Sequence, residues 1–308
     1  MVWGKSVFVQ TKALFQILKV GNSMNILNFT KMEGAGNDYI YVNLFEENVK
    51  HPGELAKIIS HRHFGIGSDG LVLIAPSDNA DLRMIMFNSD GSESEMCGNA
   101  IRCVGKYAFE RNLVQSKQIS VETGAGIKTL DLNVDQNNKV DTVTVLMGEP
   151  ELDARLIPST LDGKQIVDQA FSFGALELKG TLVSMGNPHF VTFVENVEET
   201  PVKEWGPIIE HSDYFPNRIN IEFVQIVSDK EVIQRTWERG AGETWACGTG
   251  ASAVCVAGIL NGVTTETITN HLTGGDLKLT WQGAGNQVVM EGPAREVFSG
   301  VWNYDLHK

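Results

Sequence analysis

Two stretches of this chain repeat each other 150 residues apart, and a chain that repeats itself in register must build the same unit twice. NSDGSESEMCGN over 88–99 answers ERGAGETWACGT over 238–249, which places Cys97 against Cys247 and Gly98 against Gly248. At the same separation Gly36-Asn37 answers Gly186-Asn187, and Gly70 answers Asn220. Any one of these matches is short and common. Several in one register indicate a duplication, and with it a shared pocket between two like halves.

Each Cys-Gly pair leads into a helical pattern. The first runs from Ala100 to Glu110, with Ile101, Val104, Tyr107 and Ala108 at helical spacing; the second runs from Ala251 to Leu260 and stops before Asn261-Gly262, a plausible cap. Pro52–Ser60 and Val202–His211 read as further helices. Strands are expected at 39–42, 71–74, 82–87, 119–122, 143–145, 182–185, 190–194, 221–226, 232–237, 277–281 and 287–290, punctuated by Gly and Pro. The expected fold class is α/β (α+β): two pseudo-symmetric domains, each a mostly antiparallel sheet curled around one central helix, with the active site in the cleft between them.

The remaining bulk properties exclude more than they assign. A length of 308 residues suffices for two domains with a substantial core. A net charge of −13 argues against nucleic acid or an anionic membrane as the main partner. No run approaches the roughly 18 apolar residues of a membrane span. Residues 1–23 hold only a short apolar run near Ala13–Phe15 and no small-residue cleavage pattern, so they read as a non-essential extension rather than a secretory signal. A cytoplasmic location follows as an expectation, and so do reduced thiols. Of the four cysteines, Cys103 and Cys255 sit inside helical runs and read as small core hydrophobes. No Cys-x-x-Cys pair is present, which leaves a structural zinc site weakly supported.

Cys97 and Cys247 stand instead where helices begin. A helix N-terminus carries free N–H donors and partial positive charge, which should stabilise a thiolate and lower its pKa. The N–H groups of Gly98, Asn99, Gly248 and Thr249 are placed to hold a carboxylate. Two such ends facing each other would set one sulfur on either side of an α-carbon. One thiolate would remove the α-proton and the opposite thiol would deliver another, with the pair titrating as a unit. The chemistry expected is racemisation or epimerisation of a small amino acid with no cofactor and no metal.

At these residues the sequence resembles the diaminopimelate epimerases over about 24–308. The motifs are MEGAGND (32–38), FGIGSDG (64–70), FNSDG (87–91), MCGNAIRC (96–103), MGNPH (185–189), RIN (218–220) and ERGAGETWACGTG (238–250). The resemblance implies interconversion of LL- and meso-diaminopimelate, without pyridoxal phosphate or metal, in lysine and peptidoglycan precursor synthesis. It implies that Cys97 takes the proton from the L-configured centre and that Cys247 is the opposing acid, with His189 and Glu238 assisting proton movement. Asn37 would lie near the reacting centre. Asn88, Asn187, Asn220 and Arg239 would fix the distal carboxylate, and Glu238 would also accept from a substrate ammonium. A homodimer is expected on the same ground. So is a first domain over 24–146 completed by 294–308, with the second over 147–293. Some members carry Gln where this chain has Gly70, so a side-chain contact is missing there. Arg102 is expected on the helix surface or bracing a loop.

Three other readings stand beside this one. A proline-racemase-like or phenazine-pathway-like isomerase would share the layout; the Asn set with Glu238-Arg239 favours a substrate charged at its second end. A zinc-stabilised binding protein would use the four cysteines as ligands. A pyridoxal-phosphate racemase would need a lysine adduct, for which no sequence context is present.

Overall fold

The computed structural model describes residues 25–304. The extension expected at 1–23, and residues 305–308, lie outside them. The first half runs β1 (Asn25–Gly34), β2 (Asn37–Asn43), α1 (Pro52–Ile59), β3 (Gly70–Ala75), β4 (Leu82–Asn88), β5 (Glu93–Ser94), α2 (Gly98–Glu110), β6 (Gln118–Thr123), β7 (Gly126–Val134) and β8 (Val140–Gly148). The second runs β9 (Gln169–Phe173), β10 (Leu176–Ser184), β11 (Pro188–Phe193), α3 (Val202–Glu210), β12 (Asn220–Ser228), β13 (Glu231–Glu238), β14 (Gly242–Thr244), α4 (Gly248–Leu260), β15 (Thr267–Leu272), β16 (Gly275–Thr280), β17 (Val288–Pro293) and β18 (Arg295–Tyr304). Helices α1 and α3 start 150 residues apart, as do α2 and α4, and β3 and β12. The duplication read from the motifs is a duplication of elements.

The pairings form one ribbon that reads the same from either end. It passes from β9 through β10, β11, β12, β13, β15, β16 and β17 to β8, then through β7, β6, β4, β3, β2 and β1 to β18. The parallel pairs β2–β3 and β4–β6 have their counterparts in β11–β12 and β13–β15. Every other pair is antiparallel, so each half is a mostly antiparallel sheet. The pseudo-twofold axis passes between β8 and β17, whose pairing joins the halves. Strand β18 crosses back to pair with β1.

Each sheet wraps a helix. Along β2 and β3, residues Tyr39, Tyr41, Val72 and Ile74 face the core around α2, while Ile40, Val42, Leu71 and Leu73 pack with Leu55, Ala56 and Ile59 of α1. This is the period-2 alternation of a strand covered on both faces. Helix α4 is apolar all round and buried without interruption from Gly250 to Gly258, as expected for a helix enclosed on every side. Helix α2 is buried except at Lys106 and Glu110, which pair with each other at 2.7 Å.

Tight turns carry the asparagines to the site. Between β1 and β2, Ala35 and Gly36 both take positive φ (54° and 80°), as a two-residue hairpin turn with the twist of its flanking strands requires. Asn37 follows immediately. Gly186, at φ 96°, delivers Asn187 in the same way.

Candidate active site at two facing helix ends

Helices α2 and α4 meet N-terminus to N-terminus. A Cβ built on Gly248 would lie 3.7 Å from Gly98 Cα and 3.3 Å from Met290 Sδ; one on Gly98 would lie 2.9 Å from Met290 Cε. A side chain on Gly98 would press on the end of Met290, while the two helix ends themselves lie at ordinary contact distance. Cys97 and Cys247 cap these helices in extended backbone conformation, one contributed by each half. Asn99 Nδ2 reaches across to Ala246 O at 3.4 Å.

The two sulfurs are held differently. Cys97 Sγ donates to Asn37 Oδ1 at 3.3 Å, and Asn37 Nδ2 donates to Asp69 Oδ2 at 2.7 Å, which fixes the amide. Cys247 Sγ accepts from Gly250 N at 3.3 Å and lies 3.4 Å from Thr249 Oγ1. Thr249 Oγ1 in turn accepts from Asn187 Nδ2 at 3.2 Å.

The thiol acidity expected from the helix ends is not what the structure holds. Burial pushes Cys97 above the ordinary thiol value. The pull of the Ala100 and Asn99 N–H groups and of Arg102 opposes this, and the Glu238 carboxylate adds to it. Burial raises Cys247 further, reinforced by Glu238 and Glu222. Desolvation of an anion outweighs half a unit of helix charge in so enclosed a place. Cys103 and Cys255 are pushed up to about 12 by burial, which fits their reading as inert core thiols.

A cleft of about 1080 Å³, walled by both halves, reaches Asn37, which bonds Cys97, and Ala246, which precedes Cys247; the two sulfurs themselves lie outside its lining. Asn37, Asn88, Glu238 and Arg239 line it, so four of the residues expected in the site share one cavity. Glu238 is half-buried and accepts from Thr244 Oγ1; burial pushes its carboxyl up to about 7 despite that bond. Arg239 is exposed, with its guanidinium 3.4 Å from Asn217 O. Asn88 Nδ2 donates to Ser92 Oγ at 3.0 Å.

The other expected residues sit behind this cleft. The Asn220 side chain is buried between backbone groups: it donates to Pro188 O at 2.8 Å and accepts from Arg239 N at 2.9 Å. It positions Arg239 rather than facing the cavity. His189 is fully buried, with Nδ1 2.8 Å from Glu222 Oε1 and Nε2 3.1 Å from Asn187 Oδ1. Its route to Cys247 runs through Asn187 and Thr249. Gly70 leaves no room for any side chain, since a Cβ there would lie 2.1 Å from Phe87 O and 2.8 Å from Tyr39 Cε1. Of the two places expected for Arg102, the helix surface is corrected: it is wholly buried, donating to Pro293 O at 3.0 Å and Gly98 O at 3.1 Å. Gly34 and Gly292 make the space for its guanidinium, so a charge that reads as surface ends inside the core.

Sequence reasoning passed over several lining residues. Arg62 binds Asp38 at 2.9 Å and Asp69 at 2.8 Å, and Lys31 binds Asp38 at 2.7 Å. Burial and the Asp38 charge raise Asp69. Trp245, exposed at 63%, lines the cleft inside the quoted GETWACGT motif, and its place two residues before Cys247 was the available signal. Among the described residues, no three His, Cys, Asp or Glu side chains converge in a metal-binding group.

Comparison with known proteins agrees with this architecture. A hydroxyproline epimerase from Agrobacterium vitis superposes with a TM-score of 0.69 at 16% identity, covering 92% of this chain and 94% of its own. A PhzF-family phenazine biosynthesis protein from Bacillus anthracis gives 0.65 at 16%, covering 91% and 100%. These two show a shared fold. The family and the relatives that the sequence matches set the class: this is an isomerase of the epimerase type. The diaminopimelate epimerase family profile matches residues 29–152 and 181–297. The diaminopimelate epimerase of Acetivibrio thermocellus is 56% identical over 274 residues, covering 89% of this chain and 98% of the relative; that of Methanococcus maripaludis strain C5 is 51% identical, covering 89% and 99%. The chain belongs to the diaminopimelate epimerase family.

Proposed function

We propose that this chain interconverts LL- and meso-diaminopimelate through the thiols of Cys97 and Cys247, as a step in lysine and peptidoglycan precursor synthesis. The observation that carries the reading is the meeting of α2 and α4 at Gly98 and Gly248, with one cysteine from each half at the junction. The α-carboxylate lies on the N–H groups of the facing helix ends. Cys97, as thiolate, takes the α-proton of the L-configured centre; the electron pair passes into the carboxylate as enolate character; Cys247 S–H delivers a proton to the opposite face. In the return direction the two exchange roles. The substrate ammonium beside Cys97 supplies positive charge that favours its thiolate. The helix ends oppose the developing negative charge in the transition state.

Glu238 acts electrostatically on both sulfurs and has a carboxyl pushed up to about 7, so it is suited to return the proton between turnovers. Arg239 holds the distal carboxylate, with Asn88 and Asn187 beside it and Asn220 bracing its backbone. His189 is a positioning residue. The same reading places the first domain at 24–146 with 294–308 and the second at 147–293, and takes the enzyme to be a cytoplasmic homodimer. The pairing of β18 with β1 supports the domain bounds.

Incubation with LL-diaminopimelate in deuterated water tests the reaction. One deuterium at one α-carbon of the meso product is expected. Turnover of proline with none of diaminopimelate would instead select the proline-racemase-like alternative.

A further inference from the structure

Behind Cys247 lies a buried polar cluster for which the first half of the molecule provides an internal control. Glu222 is fully buried, and its carboxylate faces three groups: His189 Nδ1 at 2.8 Å, Gln234 Nε2 at 2.6 Å and Thr236 Oγ1 at 2.6 Å. Gln234 and Thr236 are buried as well. These side chains belong to the inward face of β11, β12 and β13, against α4.

At the counterpart positions, 150 residues earlier, the first half carries Tyr39, Val72, Met84 and Met86, all in the apolar core around α2. The strand register agrees: Val72 lies opposite Met86, and Glu222 lies opposite Thr236. The same fold is therefore made with hydrophobic residues at these sites. Burying a carboxylate costs several kcal/mol before its hydrogen bonds offset it. Folding does not require that outlay here, since the other half folds without it.

From Glu222 a chain of hydrogen bonds leads to the reacting sulfur. His189 passes from Glu222 to Asn187 Oδ1, Asn187 Nδ2 donates to Thr249 Oγ1, and Thr249 Oγ1 lies 3.4 Å from Cys247 Sγ. On the other side, Glu222 presses on the first turn of α4: a Cβ on Gly250 would lie 2.4 Å from its Oε1, and it is Gly250 N that donates to Cys247 Sγ. In the first half the chain from Cys97 is shorter and ends on Asp69, a half-buried carboxylate in the cleft wall rather than one in the core behind the sulfur. There Asn37 receives Cys97 Sγ directly.

We propose that Glu222 is a positioning residue for epimerisation, holding Cys247 protonated and aimed through His189, Asn187 and Thr249, and so making the two thiols of a duplicated site unequal. The inference rests on the two-thiol reading above. Arg102, buried behind Cys97, contributes the opposite charge on that side; its counterpart at 252 is a neutral serine, bonded to Gly248 O. The carboxylates that act on Cys247 are Glu238 and Glu222, and of these only Glu222 lies behind it in the core.

The test uses Glu222→Gln in the full chain, with iodoacetamide alkylation of each cysteine followed by peptide mass analysis across pH. Removing the buried negative charge should move the alkylation profile of Cys247 to lower pH and leave that of Cys97 in place. Turnover should fall about tenfold or more, the scale of one charge-assisted bond to a reacting group, with little change in KM. A triple variant, Glu222→Val with Gln234→Met and Thr236→Met, copies the first half and keeps the test decisive if the single variant does not fold. It should fold with an unfolding midpoint no lower than wild type and lose at least as much turnover. Normal turnover of either folded variant, or an unmoved Cys247 profile, overturns the proposal. Failure of the two-thiol reading is seen separately, as turnover retained in Cys97→Ala or Cys247→Ala.

Discussion

Gly250 stands so close to Glu222 that a single added carbon would lie 2.4 Å from Oε1 and 2.6 Å from the carboxyl carbon. Its counterpart in the first half is Ala100, in the same core as Val72. Size is therefore exchanged between helix and strand: alanine with valine in one half, glycine with glutamate in the other. Gly250→Ala should destabilise the protein by about 1–3 kcal/mol through overpacking. Adding Glu222→Val should restore much of that loss. Denaturant unfolding of both variants checks the pair; a double variant as unstable as Gly250→Ala alone would show that the clash lies elsewhere.

Cys97→Ala and Cys247→Ala should each lower turnover by about two to four orders of magnitude while the fold persists, because each removes one of two proton carriers. Cys103→Ala and Cys255→Ala give the contrast. Both are fully buried in helices away from the junction, so stability should fall by about 1 kcal/mol and turnover should hold. Steady-state kinetics beside circular dichroism separates the two classes.

Glu238 makes a pH prediction with a definite sign. Its carboxyl is raised from 4.5 to about 7 in the folded protein, so the native state binds its proton more tightly than the unfolded chain does. That contribution is fully present below about 4.5 and is lost as pH rises through about 7. Glu238→Gln, which cannot ionise, should match wild type in unfolding midpoint near pH 4.5 and exceed it near pH 8. A constant difference across that range would show that Glu238 ionises normally.

Arg102 braces α2 against the β17–β18 junction through Pro293 O and bonds back to Gly98 O in the first turn of its own helix. Arg102→Met keeps the length but leaves both buried carbonyls without this donor, and should cost about 1–3 kcal/mol. Chemical denaturation measures it. Loss of turnover beyond the loss of folded protein would mark the charge as acting on Cys97 as well.

The duplication made most of the architecture legible in advance. Four helices and the central strands fall where periodicity places them, because the core around α2 and α4 imposes it. Strand β18 was not read because its first five residues are exposed throughout and only Gly300, Trp302 and Tyr304 alternate with exposed neighbours, none of them fully buried. The inward turn of Arg102 depends on the space left by Gly34 and Gly292, which are distant in sequence. Glu222, Gln234 and Thr236 alternate with apolar neighbours, the pattern of a solvent-facing strand side, yet that side faces α4. Asn37, Asn88, Glu238 and Arg239 were legible through the motifs shared with the family, and they line one cleft. Thiol acidity went the other way, since the helix-end effect is local and readable while burial is not.

Strand β18 pairs with β1 across nine registered positions, from Asn25 with Tyr304 to Glu33 with Arg295. A ribosome therefore releases β1 long before its partner strand exists. The first half must wait for the whole second half to be synthesised before its outer strand is covered. A nascent chain halted anywhere before residue 295 would present an open β1 edge to chaperones and to other chains, however well its earlier elements had formed.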